Sequence, residues 1–255
     1  MTLKTAMRQS PQKGLLIKIV ENPAIVCMAK QCGMDFVFYD CEHGVLPYRT
    51  LHDLMILGNQ IELPSIVRVA QLARADISQI LDYGATGVMV PMIETKQQAQ
   101  KLVDWSKYPP IGKRSYSGGA NTNYGPSGHH KENMNMLNER TITIAQIETL
   151  QGVEHIEEIL SVKGLDAIMI GPCDLGISMD NPDNVMHPKE IALITSVMEA
   201  CIHHHIAFGI IGGTALLQYF KQHIDLFLSA IDTNLLKDGI KQAVNMYEDM
   251  IGDRK

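Results

Sequence analysis

Five side chains of this sequence have the chemistry for acid–base or metal-assisted catalysis, and each lies at or just past the end of an apolar, strand-like run. They are Asp40, His43, Arg68, Glu148 and Asp174. Carboxylate oxygens bind Mg²⁺ and Mn²⁺, and a histidine whose tautomer is fixed by a carboxylate acts as a general base near neutral pH. The residue types predict metal-assisted proton transfer, provided that the fold brings the five side chains together.

The two later acids, Glu148 and Asp174, are the predicted metal ligands. They follow consecutive strand-like runs, so their carboxylates can converge on one cation, and water and a bidentate 2-oxo acid can complete its coordination shell. Gln146 shares the strand parity of Glu148, so both side chains should point into the interior. Each acid also has a structural alternative, because Glu148 can stabilise the start of the next helix and Asp174 can cap one.

The earlier residues suit proton transfer and anion binding. Asp40 is placed to orient the imidazole of His43. Arg68 puts a cation inside an apolar run, where burial is costly without an anionic partner; that partner can be a substrate oxygen or a protein carboxylate. Residues 171–174 (Gly-Pro-Cys-Asp) offer free backbone N–H groups at a turn or short helix start, which suits a substrate carboxylate.

Three consecutive histidines, residues 203–205, close a predicted helix. Consecutive helical side chains point in different directions. We therefore expect these histidines to be structural and not to share a metal.

The elements that must position the five candidates alternate strictly. Eight apolar runs rich in Val, Ile and Phe are each followed by a stretch of helical periodicity. The predicted strands cover residues 14–19, 35–40, 64–69, 86–91, 142–148, 166–171, 206–211 and 225–231. The predicted helices cover residues 22–32, 48–59, 75–83, 95–105, 151–161, 188–204, 214–222 and 233–250.

This alternation predicts an α/β fold, the (β/α)8 TIM barrel. Runs that are apolar almost throughout suit parallel strands buried on both faces. An open doubly wound sheet is less favoured, because it needs no eighth pair and no GxGxxG turn follows the first strand. In a TIM barrel the active site lies at the C-terminal ends of the strands, so this fold would gather all five candidates around one mouth.

Length and composition support one domain, residues 1–255, of ordinary globular character. The net charge of −6 provides no basic field for nucleic acid. No apolar run reaches the roughly 18 residues needed to span a bilayer, and the N-terminus lacks a signal-peptide core. We expect a cytoplasmic protein with neither a nucleic-acid nor a membrane partner, and its five cysteines, without CxxC spacing, to be free thiols.

One segment, residues 108–140, interrupts the alternation before the fifth strand. A connection of this length in a compact domain is usually functional or disordered. We expect it to leave from the top of the fourth strand and cover the mouth; packing on a neighbouring subunit is the alternative.

Six pieces of the sequence resemble, in the same order, the HpcH/HpaI family of class II (metal-dependent) 2-oxo acid aldolases. The similarity extends from about Gly14 to Leu236, nearly the whole chain. The pieces are Asp40-Cys41-Glu42-His43, Val67-Arg68-Val69, residues 81–87 (LDYGATG), residues 109–114 (PPIGKR), Gln146-Ile147-Glu148-Thr149 and Gly171-Pro172-Cys173-Asp174-Leu175.

The resemblance implies a lyase that cleaves a 4-hydroxy-2-oxo acid to pyruvate and an aldehyde, or catalyses the reverse, through a metal-stabilised enolate. Glu148 and Asp174 would bind Mg²⁺ or Mn²⁺, with Co²⁺ also possible, and no organic cofactor would be needed. Family members form hexamers in which the last helix is exchanged between subunits, so a homo-oligomer is expected.

The resemblance also implies roles for the other candidates. Arg68 would stabilise the enolate oxygen, and His43, oriented by Asp40, would transfer protons through metal-bound water. The amides near Cys173 and Asp174 would hold the pyruvate carboxylate. The predicted substrate site is completed by three further residues, Gln146, Gly171 and Pro172.

Three alternatives remain open. The same enolate can be made by decarboxylating oxaloacetate, or used on another electrophile by a different pyruvate-enolate lyase. A Schiff-base lysine can replace the metal, and Lys18 is the one lysine within a predicted strand. A barrel that binds a 2-oxo acid without catalysis, as a scaffold, is the third.

Overall fold

Eight parallel strands close into a barrel in which each strand pairs with the next along the chain and the eighth pairs with the first. The computed structural model describes residues 1–126 and 128–252. The predicted (β/α)8 barrel is confirmed, and the strand ends differ from the predicted ones by at most two residues. The strands are β1 (Gln12–Ile17), β2 (Phe36–Asp40), β3 (Ser65–Arg68), β4 (Gly87–Val90), β5 (Ile142–Ile147), β6 (Ala167–Ile170), β7 (Ala207–Ile211) and β8 (Leu226–Ile231).

Helices surround the barrel, and most of them lie where the sequence predicts. The short helix α1, before the barrel, and α6 were not predicted, whereas α9 begins at the turn or short helix start expected at residues 171–174. The helices are α1 (Leu3–Ala6), α2 (Ala24–Gln31), α3 (Tyr48–Gln60), α4 (Arg74–Asp82), α5 (Lys96–Ser106), α6 (His130–Arg140), α7 (Leu150–Glu154), α8 (Ile156–Leu160), α9 (Pro172–Ser178), α10 (Pro188–His204), α11 (Thr214–Phe220) and α12 (Asp232–Gly252). None of the described helices is both long and apolar enough to cross a membrane.

Strand parity sorts the apolar residues into two packed layers. In β2, Phe36 and Phe38 point into the barrel, whereas Val37 and Tyr39 pack between the strand and the surrounding helices. Both faces of the strand are buried, which is why the run is apolar almost throughout. Asp40 continues the inward-facing series at the C-terminal end of the strand, so the interior becomes polar at the mouth.

The opposite, N-terminal end of the barrel is closed by α1 and by a buried ionic group. Leu3 joins the apolar interior of the barrel. Asp166, just before β6, accepts from Lys107 Nζ at 2.9 Å and from Lys4 Nζ at 2.7 Å. Burial opposes ionisation of Asp166, but the two ammonium groups outweigh it and lower the pKa of this acid. This end is therefore sealed and structural.

Residues 108–140 lie at this sealed end, so the prediction that they cover the mouth is wrong. The segment follows α5 and leads into β5, and a connection from a helix to a strand of the barrel lies at the N-terminal ends of the strands. Asn138 fixes it there, because its side chain accepts from the amide of Tyr108 at 2.7 Å and its carbonyl receives Lys4 Nζ at 3.4 Å. Ser127 of this segment lies outside the described residues.

The last helix, α12, is attached to the barrel mainly at its first residue. Asp232 is buried, and its Oδ2 accepts the backbone amides of Lys18, Ile19 and Val20 at 2.9 to 3.0 Å. The rest of the helix carries an apolar row whose members are 46% to 65% exposed. We call this row the α12 apolar face; it consists of Leu236, Ile240, Val244, Tyr247 and Ile251.

Candidate active site

A cavity of about 360 Å³ occupies the mouth of the barrel and collects side chains from distant parts of the sequence. Lys18, His43, Arg68 and Gln146 line it together with residues 171–174. Each of the four side chains lies at or just after the C-terminal end of a strand. The position agrees with the location that the barrel fold predicts for an active site.

Asp40 and Arg68 form a bidentate ion pair between adjacent strands. The two residues are paired in the register of β2 and β3, and both continue inward-facing rows. Arg68 Nε donates to Asp40 Oδ1 at 2.9 Å, and Arg68 Nη2 donates to Oδ2 at 2.7 Å. Burial alone would raise the pKa of Asp40, but the guanidinium lowers it below its ordinary value. The cation predicted inside the barrel thus has a protein carboxylate as its partner.

The predicted contact between Asp40 and the imidazole of His43 is not formed. Asp40 Oδ1 instead accepts the backbone amides of Glu42 and His43 at 3.1 and 3.2 Å. It holds the turn that carries His43, whose ring remains 54% exposed at the rim. Both oxygens already have partners: Oδ1 accepts from Arg68 Nε and the two amides, and Oδ2 accepts from Arg68 Nη2.

Glu42 also belongs to the mouth, although its sequence pattern does not single it out. Its Oε2 lies 3.0 Å from Arg68 Nη1 and 3.8 Å from His43 Nε2. Burial raises the pKa of Glu42, and the negative charges of Asp40 and Asp174 raise it further. Its place beside His43 in the sequence was the available signal, because the turn after β2 brings both into the mouth.

Neither Glu148 nor Asp174 is a helix cap, although each lies near the start of a helix. The helix after Glu148 is capped by Thr149, whose side chain accepts from the amide of Gly152 at 3.1 Å. The cap of α9 is Gly171, and Asp174 lies within the first turn. Both acids therefore remain available for a ligand.

The environment of Glu148 disfavours its ionised form as long as no positive charge is bound nearby. Burial raises its pKa to about 7, and the neighbouring charges of Asp174 and Glu42 contribute to the increase. Its Oε1 accepts the amide of Met92 at 2.8 Å, and its Oε2 accepts Gln146 Nε2 at 2.5 Å. A divalent cation would relieve this repulsion between acids.

Gly171 leaves the space that the Glu148 carboxylate occupies. A Cβ at this position would lie 2.4 Å from Glu148 Oε2 and 2.7 Å from Gln146 Nε2, so any side chain would displace the acid. The residues fit a divalent ion held by Glu148 and Asp174. Among the described residues no third His, Cys, Asp or Glu groups closely with this pair, so water and a substrate would supply further ligands.

Residues 171–174 form the start of α9, as the short-helix interpretation predicts. The amide of Gly171 is used by the carbonyl of Ile147 at 3.1 Å, and Pro172 has no N–H. The amides of Cys173 and Asp174 belong to the first helical turn, where the helix supplies no acceptor. These two amides are the ones that a substrate carboxylate can use.

Lys18 adds a second cation on the opposite wall of the mouth. It follows β1, which lies across the closed barrel from β5, and its Nζ is 3.6 Å from Asp40 Oδ2. An ammonium group paired with a carboxylate is a poor nucleophile, which disfavours the Schiff-base alternative. Ser229 and Asn234 also line this wall; nothing in their sequence surroundings marks them as site residues.

The chain is similar in sequence and in fold to known proteins. A sequence model of the family described as HpcH/HpaI aldolase/citrate lyase matches residues 16–222. The chain is similar to 2-keto-3-deoxy-L-rhamnonate aldolase of Salmonella schwarzengrund (strain CVM19633), with 32% identity over 183 residues. That alignment covers 71% of this chain and 66% of the relative, just under two thirds of its length.

Solved structures show the same barrel. The HpcH/HpaI aldolase from Desulfitobacterium hafniense DCB-2 superposes with a TM-score of 0.91 and 27% identity, covering 97% of each chain. The citrate lyase beta subunit from M. tuberculosis, complexed with oxaloacetate and magnesium, superposes with a TM-score of 0.54 over 88% of this chain and 94% of its own. At 17% identity the second likeness concerns the fold alone.

Proposed function

Because this chain belongs to the HpcH/HpaI aldolase/citrate lyase family, we propose that it is a divalent-metal-dependent pyruvate aldolase. It would cleave a 4-hydroxy-2-oxo acid to pyruvate and an aldehyde, or join them. The observation that carries the proposal is the buried carboxylate of Glu148, which has a pKa raised to about 7 and lies beside Asp174, with neither acid acting as the helix cap.

Glu148 and Asp174 would hold Mg²⁺ or Mn²⁺, with Co²⁺ as a further possibility. When bound, the ion would polarise the keto group of the substrate and stabilise developing enolate charge by several kcal/mol. The citrate lyase beta subunit that shares this fold was crystallised with magnesium; for this chain the support for a divalent ion is the pair of acids itself. No organic cofactor is proposed.

The protein groups of the mouth would bind and orient the substrate. The first-turn amides of Cys173 and Asp174 would receive its carboxylate. Arg68 would donate to the oxygen that becomes the enolate oxygen. Asp40 holds its Nε and Nη2, and Nη1, which contacts Glu42 Oε2 at 3.0 Å and Gln146 Oε1 at 3.4 Å, would exchange one of these partners for the substrate. His43 would accept and return a proton at a ring nitrogen, at the exposed rim where the aldehyde leaves.

The experiment is deuterium exchange into the methyl group of pyruvate, followed by NMR in the presence of Mg²⁺ or Mn²⁺. We expect exchange that stops with EDTA and falls at least on the order of 10²-fold in Glu148→Gln and Asp174→Asn. Exchange that survives EDTA, or pyruvate trapped on a lysine by borohydride, would contradict the metal mechanism. Absence of exchange under all conditions would favour the non-catalytic scaffold.

Oxaloacetate decarboxylation is the second candidate, and the observation that favours it is Lys18. Two cations, Lys18 and Arg68, line one small cavity, so a second carboxylate on the substrate would have a partner. Methyl exchange does not separate the two reactions. Steady-state turnover of oxaloacetate measured beside a panel of aldehydes with pyruvate decides between them.

We also propose that the chain assembles into a homo-oligomer, a hexamer by family resemblance, in which α12 packs on a neighbouring subunit. The α12 apolar face supports this, because water-exposed apolar rows of this kind mark interaction sites. The cytoplasmic location remains a prediction from the sequence.

A further inference from the structure

Two of the three consecutive histidines come together with an acid on the outer wall of the barrel. The ligand atoms of Glu157, His203 and His204 all lie within 4.8 Å of one another. His204 Nε2 is 2.7 Å from Glu157 Oε2, and the rings of His203 and His204 meet edge to face with centroids 5.3 Å apart. The three ligand groups thus face a common point, so the argument from diverging helical side chains does not apply to His203 and His204.

The three side chains can meet because His203 and His204 lie at the end of α10 and Glu157 comes from a second helix. His204 is the last residue of α10, and Glu157 belongs to α8, which packs against it. His205, in a left-handed conformation with φ of 55°, caps the helix. Two imidazoles next to each other in sequence can then lean toward one point instead of continuing around the helix.

This position favours a cation. The end of α10 carries the partial negative charge of a helix that is 17 residues long. Among the described residues the only ion-pair partner of the Glu157 carboxylate is His204, so no lysine or arginine neutralises it. The three side chains are partly or fully exposed, which lets an ion enter from solvent.

We propose that Glu157, His203 and His204 form a second metal site that binds Zn²⁺, Ni²⁺ or Cu²⁺. Two imidazole nitrogens and one carboxylate oxygen suit these ions, whereas Mg²⁺ prefers an all-oxygen shell. Water completes the coordination. The bound ion joins α8 to α10.

The site is separate from the mouth. His204 lies just before β7 begins at Ala207, so it is at the N-terminal end of the barrel. Glu148 and Asp174 follow the C-terminal ends of their strands. An ion on the outer wall therefore does not contact the reacting groups, and the proposal does not depend on the function of the mouth.

The test is equilibrium dialysis of the EDTA-treated full chain with Zn²⁺ in excess Mg²⁺, with metal per chain measured by atomic absorption. We expect binding to weaken at least tenfold in His203→Ala, His204→Ala and Glu157→Gln. His205→Asn is the matched control, since this histidine lies outside the cluster and Asn tolerates the left-handed conformation; its Zn²⁺ binding should equal that of the wild type.

Cu²⁺ provides a second readout that does not depend on affinity. The electron paramagnetic resonance spectrum of one bound Cu²⁺ should show coupling to two imidazole nitrogens, reduced to one in either single histidine variant. Equal Zn²⁺ binding in all variants would overturn the proposal. So would Zn²⁺ binding that disappears only in Glu148→Gln and Asp174→Asn, because that result would assign the ion to the mouth.

Discussion

At Asp40 a single carboxylate positions two groups of the mouth. It holds the guanidinium of Arg68 with both oxygens and the turn of His43 through backbone amides. The imidazole itself is half exposed at the rim, with its Nε2 3.8 Å from Glu42 Oε2. Asp40 therefore positions the Arg68 guanidinium by direct contact, whereas it positions the His43 ring only indirectly, through the backbone of the turn.

Replacing His43 tests the proton-transfer role. In His43→Ala the aldol cleavage rate should fall on the order of 10²- to 10⁴-fold, the usual contribution of a general acid–base group, while the protein stays folded because the ring is half exposed. Steady-state kinetics on a 4-hydroxy-2-oxo acid measures it. His52→Ala, a change on α3 outside the mouth, is the control, and wild-type turnover in His43→Ala would exclude the role.

At the scale of elements, the first turn of α10 contains a buried carboxylate, that of Glu190. Glu190 is fully buried, and neither of its oxygens has a hydrogen-bond partner among the described residues. Burial raises its pKa to about 7 from an ordinary value near 4.5. Since the folded chain holds the proton more tightly than the unfolded chain, the stability associated with this group is full below pH 4.5 and is lost as the pH rises through 7.

The change Glu190→Gln should remove this pH dependence. At pH 8 we expect the variant to be more stable than the wild type by about 1 to 3 kcal/mol, and the difference should shrink toward pH 4.5. Urea denaturation at several pH values measures it. Glu199→Gln, an exposed position on the same helix, should change nothing; equal stability of wild type and Glu190→Gln at pH 8 would mean that Glu190 has a partner in solution.

The strands and the long helices of this barrel could be predicted because burial leaves a direct pattern in the sequence. A strand buried on both faces is largely apolar, as β2 and β5 are apart from Asp40 at the end of β2 and Thr143 and Gln146 in β5. Helix α6 left no such pattern, because only Leu137 and Asn138 of its residues are buried. The side of the barrel on which residues 108–140 lie follows from α5 preceding them, and the sequence reasoning placed them on the wrong side.

The candidate site could be predicted in part for the same reason. Glu148, Gln146 and Arg68 extend inward-facing rows, so strand parity points to them. Hydrogen-bond partners are not encoded in parity, and the pairing of Asp40 with Arg68 instead of the His43 ring depends on the register of β2 and β3. Asn234 lies after β8 in a stretch with no chemical motif, so only the closed barrel reveals it.

At the scale of the whole molecule, the α12 apolar face predicts the state of assembly. The double change Leu236→Asp with Ile240→Asp puts two charges on this face and should convert the oligomer into smaller species, because buried charge without a partner is costly. Size-exclusion chromatography with light scattering measures the mass. Asn245→Asp, off this face on the same helix, is the control, and an unchanged mass in the double variant would contradict a role of α12 in assembly.

Three hydrogen bonds at the first residue of α12 connect this helix to the loop that carries Lys18 at the wall of the mouth. Asp232 accepts the amides of Lys18 and of the two residues after it, so in the proposed oligomer a subunit that packs on α12 would also restrain the loop from which the ammonium group projects. Separated chains would keep the barrel, but the loop that carries Lys18 would lose this restraint. Specific activity should then decline on dilution, well before any chain unfolds.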